Sequence, residues 1–366
     1  MFDEIYLGIS IALVSVMFTF GLLFYFLRSN TESPVFRRAM QMMVFNYIFC
    51  GVVTALKLWV WRFMPGIDCV LLFKISTIIA SAIQILLFTH VLMLLINAAY
   101  VTRKRMLREI VPLCALSGAL VFALFILPDD WIKISVVLFN LFYIYLLIKY
   151  IWLFTITYRN SLRKMDNFFS GQEKQHLKWV SFSFYIVWFF AVLVLIIDGL
   201  PAMLFCIICT ASCIIFHIFF AIRFIKHGFF HKELEKALTD DNMQPEQLDE
   251  GKNTVSFFCE DIEKNLKLWI ENKLFLQIGV TIEDVSRQIA TNKKYLSVYI
   301  NVIEHKTFRD WVNDLRIEEA KRLLKESPSL TLQQIAELTG YATNSHFSAT
   351  FKKNTGKKFT EYRKDN

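Results

Sequence analysis

Seven long apolar stretches crowd the first 224 residues, and no ordinary water-soluble fold buries so many. They are Ile5–Leu27, Met42–Val60, Val70–Ile96, Ile110–Leu127, Ile132–Phe154, Trp179–Ile197 and Pro201–Phe224. A helix rises about 1.5 Å per residue, so about 20 apolar residues cross a hydrocarbon core about 30 Å thick. The stretches are continuous and do not alternate with polar residues, which predicts helical spans and not a β-barrel. Hydrophobic residues make up 55% of the chain and Phe occurs 36 times. Nearly all of the long apolar runs precede Phe224, whereas Lys226 to Asn366 reads like a water-soluble protein. That contrast sets the principal boundary: a seven-span module over residues 1–226, a linker over 227–254 and a C-terminal domain over 255–366.

Loop charge predicts an orientation. Arg28, Arg37 and Arg38 follow the first stretch, Arg103, Lys104, Arg105 and Arg108 the third, and Arg159, Arg163, Lys164, Lys174 and Lys178 the fifth. The alternate loops hold only Arg62 and Lys133, and the last is Asp198-Gly199-Leu200. Basic loops stay in the cytoplasm, so the N-terminus is expected outside the membrane and the C-terminal domain inside. Asp3 and Glu4 replace the basic start of a cleavable signal peptide. The net charge of +8 fits nucleic acid or anionic lipid, although basic flanks of the spans account for such a balance alone. Five of the seven Cys, namely Cys50, Cys114, Cys206, Cys209 and Cys213, lie inside apolar runs, where thiols act as small hydrophobes.

Polar residues within the spans are the candidates for sensing a signal. Lys57 and Lys74 fall near the outer ends of the second and third spans, and Asp198 closes the sixth on the same side. Together they suggest an outward pocket for an anionic or zwitterionic small molecule. The simpler alternative is that the lysines snorkel to the interface and Asp198 caps the seventh span before Pro201. Lys149 is expected to snorkel inward, and Asn46, Gln84, His90, Asn97 and Asn140 to hydrogen-bond between helices. Cys206, Cys209, Cys213 and His217 share one helix face, but one helix cannot fold all four around one ion, so no metal site and no cofactor are expected. No nucleophile triad, carboxylate pair or phosphate loop stands at diagnostic spacing, which points away from an enzyme.

After the seventh span, Gly228 suggests a helix break and Leu234 to Leu238 a short helix. Thr239–Asn253, with Pro245 and Gly251, reads as a flexible linker. From Val255 to Leu276, Phe258, Ile262, Leu266, Trp269, Ile270 and Leu274 recur every three or four residues. This predicts a helix that either packs on the C-terminal domain or serves dimerisation and signal transmission.

The last quarter of the chain contains a repeat. One copy runs Ile282–Ala290, a polar turn, then Tyr295–Ile300; the other runs Leu332–Gly340, a turn, then Phe347–Phe351. Each is an amphipathic helix, a turn and a second amphipathic helix. Ala336 allows close crossing, and Gly340 supplies a turn in which positive φ is easiest for Gly. Leu296 and Ile300, and likewise Phe347 and Phe351, point inward, which leaves the opposite faces to enter a major groove. Thr307–Lys325 reads as one helix joining the copies, ended by Ser327-Pro328-Ser329, with Thr331 as the next N-cap.

These motifs resemble the DNA-binding domain of the AraC/XylS family of transcription regulators, and the whole organisation resembles its membrane-bound members. The most specific residues are Ile335-Ala336, Gly340-Tyr341, Ser345-His346-Phe347, Phe351-Lys352-Lys353, Gly356 and Tyr362-Arg363, together with Leu315 to Leu324 in the connecting helix. Ala290 and His305 depart from the resemblance by standing where glycine is usual, and Phe359 by standing where proline is common. Val298 and Ala349 occupy outward positions where many relatives carry arginine, so bidentate reading of guanine is absent there. The resemblance implies double-stranded DNA as partner. Lys294, Ser297, Asn344, Ser345 and His346 are then candidate groove contacts, and Lys352, Lys353, Lys357, Lys358 and Arg363 candidate phosphate contacts. The expected protein is an all-α, membrane-embedded regulator with lipid, DNA, a small-molecule signal and a second copy of itself as candidate partners. A transporter or membrane enzyme with an attached DNA-binding domain is the alternative.

Overall fold

A computed structural model describes residues 2–31, 33–63, 69–171, 177–196, 202–239 and 261–365. The architecture is all-α: no strand occurs among the described residues, only an isolated bridge between Phe169 and Thr281. Seven long helices come first: α1 (Phe2–Leu27), α2 (Pro34–Phe63), α3 (Cys69–Ile96), α4 (Arg103–Ile126), α5 (Asp129–Phe168), α6 (Lys178–Ile196) and α7 (Ala202–Thr239). Short helices follow: α8 (261–271), α9 (Ile282–Gln288), α10 (Lys293–Val298), α11 (Phe308–Glu326), α12 (Leu332–Leu338), α13 (Asn344–Thr355) and α14 (Phe359–Asp365). The chain parts into two compact units, one formed by residues 1–159 and 177–235, the other by 160–176 and 236–366.

In the first unit, seven helices are long and apolar enough to cross a membrane. Ile75, Ala82, Leu86, Leu120, Tyr143 and Tyr150 belong to a core shared by α3, α4 and α5. The outer surface is also apolar: Phe26, Ile126, Leu138, Ile148 and Trp152 are each exposed over more than half of their area. An apolar inside and an apolar outside fit a bundle whose solvent is lipid.

Three expectations change here. Lys149 does not snorkel: its Nζ donates to Glu109 Oε1 at 2.6 Å, Tyr150 donates to Glu109 Oε2 at 2.8 Å, and His90 Nε2 lies 3.4 Å from the same oxygen. Glu109, which the sequence does not single out, thus neutralises the lysine between helices. Gly228 is no break, because α7 continues through it to Thr239. Its missing side chain serves close packing instead, since a Cβ there would lie 2.6 Å from the Phe36 ring. Finally, α5 outlasts the fifth apolar stretch, and residues 160–176 fold with the C-terminal unit and not with the bundle.

The second unit has two centres. Around the first, Ile262, Leu266 and Trp269 of α8 are buried, Trp269 stacks on Trp311 with ring centres 5.8 Å apart, and its Nε1 donates to Gln288 at 2.6 Å. The apolar face of α8 is thereby used within the unit; residues 255–260 lie outside the described set. Around the second, Ile317, Ala320, Ile335, Ala336, Phe347, Phe351 and Phe359 pack together. The connecting helix α11 serves both centres and ends at Ser327. Arg316 in its middle is 1% exposed and donates to the carbonyls of Phe275 and Gln277 at 2.9 and 2.7 Å. A buried guanidinium with such partners fixes the turn before α9 against α11.

Candidate nucleic-acid interface

Each helix-turn-helix unit starts from a side-chain cap. Thr281 accepts from Asp284 N–H and begins α9, Asp284 returning the bond; Thr331 and Gln334 do the same for α12. Such reciprocal capping boxes satisfy amide donors that a helix start leaves orphaned. The second helices begin at Asn292, which accepts from Lys294 N–H, and at Thr343, which accepts from His346 N–H.

The turns between the helices require left-handed backbone in both copies. Gly340 has φ +78°, and a Cβ there would lie 2.2 Å from the Leu276 carbonyl oxygen. Ala290 holds the matching position with φ 55°, and His305 has φ 53°. Both departures from glycine therefore keep the glycine geometry, at a cost of about 1 kcal/mol each.

The outward faces differ. On α13, Asn344, Ser345, Ala349, Lys352 and Lys353 are exposed while Phe347 and Phe351 are fully buried. The α13 N-terminus is open, and its amides and positive dipole end favour a phosphate there. On α10, Ser297 and Val298 are each 2% exposed, and Asn301 donates to both the Ser297 carbonyl and its Oγ. Lys294 is half-buried. Residues that end or follow α5 lie beside this first unit. Ser170 donates from its amide and its hydroxyl to the Val280 carbonyl, at 3.2 and 2.6 Å. Lys293 Nζ lies 5.0 Å from the Phe168 ring centre, and Asp166 pairs with Arg309 at 3.2 Å.

Arg309 also donates to His346 Nε2 at 3.3 Å, since a guanidinium accepts nothing. His346 is 6% exposed and packs edge-on to Tyr341. It is held inward, as is Ser297, so neither side chain is presented as a groove contact. Burial raises the Tyr341 hydroxyl pKa, and Tyr341 donates to Asn313 at 3.1 Å.

The basic residues form an exposed set along the end of α13 and the segment after it: Lys352, Lys353, Lys357, Lys358 and Arg363. Lys353 Nζ lies 2.8 Å from Asp310 Oδ1. Burial opposes the Asp310 carboxylate, yet Lys353, with Thr307 and Arg309, holds its carboxyl below the usual range. Arg363 donates to the Pro328 carbonyl. Lys306, which the sequence does not single out, pairs with Asp314 at 2.7 Å, and that hydrogen bond raises its pKa. Its exposed place between the first unit and α11 adds it to the basic rim.

Among the seven long helices, Lys57 lines a cavity and donates to Thr77 Oγ1 at 2.8 Å. The Lys74 side chain and Asp198 lie outside the described residues, as do the side chains of Cys206 and Cys209. Among the described residues no group of three His, Cys, Asp or Glu is placed to hold a metal.

Residues 285–365 match the family described as Helix-turn-helix domain. A stretch of 95 residues, 26% of this chain, is 30% identical to 54% of an uncharacterized HTH-type transcriptional regulator in the cgkA 5′ region of Pseudoalteromonas carrageenovora. The chain thus spans about half the length of that relative. No solved structure matches.

Proposed function

We propose that the protein is a membrane-embedded, DNA-binding transcription regulator that couples a signal at a bacterial inner membrane to the state of its cytoplasmic helix-turn-helix domain. The observation that carries this reading is the last part of α5. One helix begins among the apolar spans, and its end folds against the first helix-turn-helix unit through Asp166, Phe168 and Ser170. A helix built this way is a physical route from bundle to DNA-binding surface. The loop-charge pattern puts the N-terminus outside and the C-terminal unit in the cytoplasm, where DNA is. The relative's description as a transcriptional regulator and the family match support a non-enzymatic regulator.

The second unit is the reader in the described arrangement. Asn344 and Ser345 enter the groove, and Lys352, Lys353, Lys357, Lys358 and Arg363 with Lys306 meet phosphates. The first unit, with Lys294 at its edge, joins when the α5 segment yields and bares the α10 face. A ligand drives that change only through its difference in affinity for the two states.

The test is DNA binding by the full chain in lipid nanodiscs over a salt series. The expected result is a steep fall of affinity with salt and a footprint centred on one half-site. Affinity independent of salt overturns phosphate contact by the lysine set. Reporter fusions after Leu27 and after Lys226 are expected to report cytoplasm, and one after Pro128 the exterior; an exterior Lys226 fusion overturns the orientation. The alternative, a transporter with an attached regulatory domain, predicts solute flux that survives deletion of residues 255–366.

A further inference from the structure

The bundle holds a cluster of ionisable side chains where α3, α4 and α5 meet: His90, Glu109, Lys149 and Tyr150. In the proposed orientation it lies toward the cytoplasmic side, because His90 falls in the last third of α3 and Glu109 in the first third of α4. The Glu109 carboxylate is engaged twice, by Lys149 on Oε1 at 2.6 Å and by the Tyr150 hydroxyl on Oε2 at 2.8 Å. Ionisable groups inside a span are costly, and a cluster of them with named partners points to function.

The histidine is one proton short. Its Nδ1 lies 2.8 Å from the Leu86 carbonyl oxygen. A carbonyl only accepts, so Nδ1 carries the hydrogen, and a neutral ring then has a bare lone pair at Nε2. That lone pair faces Glu109 Oε2 at 3.4 Å, and Nε2 makes no hydrogen bond among the described residues. An ionised carboxylate also offers only lone pairs. Two acceptors therefore confront each other, on side chains 2% and 8% exposed, across a gap too short to hold a water.

We propose that His90 and Glu109 form a proton-binding site, and that a proton bound there replaces Lys149 as the counter-ion of Glu109. The proton comes from the cytoplasmic side and bonds to Nε2. The imidazolium then donates to Oε2 in a charge-assisted bond, which closes to about 2.7–2.9 Å. One carboxylate now faces two cations, and the surplus buried charge is disfavoured. Lys149 is the cation able to leave: its side chain is 28% exposed against 2% for His90, and its long stem reaches the interface.

The other charges around the ring are engaged elsewhere. Arg105 of α4 stacks on Tyr100 and donates to its carbonyl. On the remaining helices against α3, Arg38 of α2 donates to the Val101 carbonyl, the Tyr185 hydroxyl of α6 meets Thr155, and the His217 ring of α7 rests against Phe88. Lys149 belongs to α5, whose end folds with the DNA-binding domain. Its release therefore bears on DNA binding, and that link alone rests on the proposed function.

The experiment uses the full chain in phosphatidylcholine nanodiscs with isotope-labelled histidine. Ring-nitrogen resonances are followed as pH falls from about 8 to about 5, the range in which histidine ordinarily changes charge. Of the seven histidines, His90 is the one whose signal is missing in His90→Gln. Its ring is expected to carry hydrogen on Nδ1 alone at the alkaline end and on both nitrogens at the acid end. Hydrogen on Nε2 alone, or a ring that stays neutral throughout, overturns the site. DNA affinity is read on the same samples. Lys149→Gln is expected to show at the alkaline end the affinity that the unaltered chain shows at the acid end. A Lys149→Gln chain that responds to pH as the unaltered chain does overturns the exchange of counter-ions. A His90 ring that gains its proton, with equal DNA affinities for the unaltered chain and His90→Gln at every pH, supports the proton site and overturns its link to the proposed function.

Discussion

The two helix-turn-helix units share a capping box, a seven-residue first helix and a left-handed turn, yet their second helices meet different surroundings. Val298 in the first and Ala349 in the second occupy equivalent outward positions. Val298 is 2% exposed, whereas Ala349 is exposed. The first unit lies beside the end of α5, and Ser170 and Asp166 are bonded to residues on either side of α10. The second has an open face. Two copies of one motif thus differ in their surroundings, one with an open face and one bonded to residues that end or follow α5.

The turns offer the sharpest way to break the comparison. Gly340→Ala must force a Cβ against the Leu276 carbonyl in a left-handed backbone, so the C-terminal unit is expected to lose at least about 3 kcal/mol. Ala290→Gly, at the matching place in the first unit, relieves strain and is expected to gain about 0.5–1 kcal/mol. Pulse proteolysis of the full chain in urea reads both. Equal signs for the two variants would show that the turns are not equivalent.

The α5 contact comes next. Asp166→Asn removes the charge partner of Arg309, and a partly buried pair of this kind is worth about 1 kcal/mol, or about fivefold in affinity. Nuclease footprinting is expected to show protection growing from one half-site to two. Tighter binding with an unchanged footprint would leave the first unit out of DNA recognition.

Smaller again is the contribution of a single phosphate contact. Lys352→Ala should lower the slope of log affinity against log salt by about one unit, equally for all sequences. Asn344→Ala should instead change preference between sequences. Were Lys352→Ala to alter preference and not slope, the groove and backbone assignments on α13 would exchange.

What the residues announced, and what they hid, follows the range of the interactions. The seven apolar stretches, the Thr331 cap, the end of α11 at Ser327 and the positive φ of Gly340 are local consequences of hydropathy, capping and backbone freedom, and all are legible in the chain. The failures are contacts between distant residues. Glu109 goes unnoticed in the chain because its partners, Lys149 and Tyr150, come 40 and 41 residues later. Gly228 reads as a break because Phe36 is not its neighbour in sequence. Ser297 and His346 read as outward because helical periodicity says nothing of Asn301, Arg309 or Tyr341 closing over them. Lys306 was hidden by a turn that pattern alone does not resolve. Of Lys57, Lys74 and Asp198, Lys57 alone has a described side chain, and helical periodicity gives no sign of the cavity that it lines.

The last prediction concerns how firmly the two units are joined. Glu319 on α11 accepts from Arg322 at 2.7 and 2.9 Å and from Lys273 at 2.8 Å. Those bonds, Arg322 first, hold its carboxyl down to about 2 from an ordinary 4.5, against the opposing effect of burial. Its folded pKa is depressed, so the stabilisation is fully present above pH 4.5 and is lost as pH falls towards 2. Lys273 and Arg322 are each nearly half exposed. Solvent screening therefore reduces the effect to about 1 kcal/mol. Lys273 opens the turn Leu274–Leu276, and the Leu276 carbonyl abuts Gly340. Loosening that turn should reach the second unit before the first. Glu319→Gln is therefore expected to speed amide exchange in α12 and α13 more than in α9 and α10 at pH 6, and to match the unaltered chain near pH 2. Equal acceleration in both units would mean that α11 holds them as one cooperative body, and that the division between a free copy and a tied copy lies in their surfaces alone.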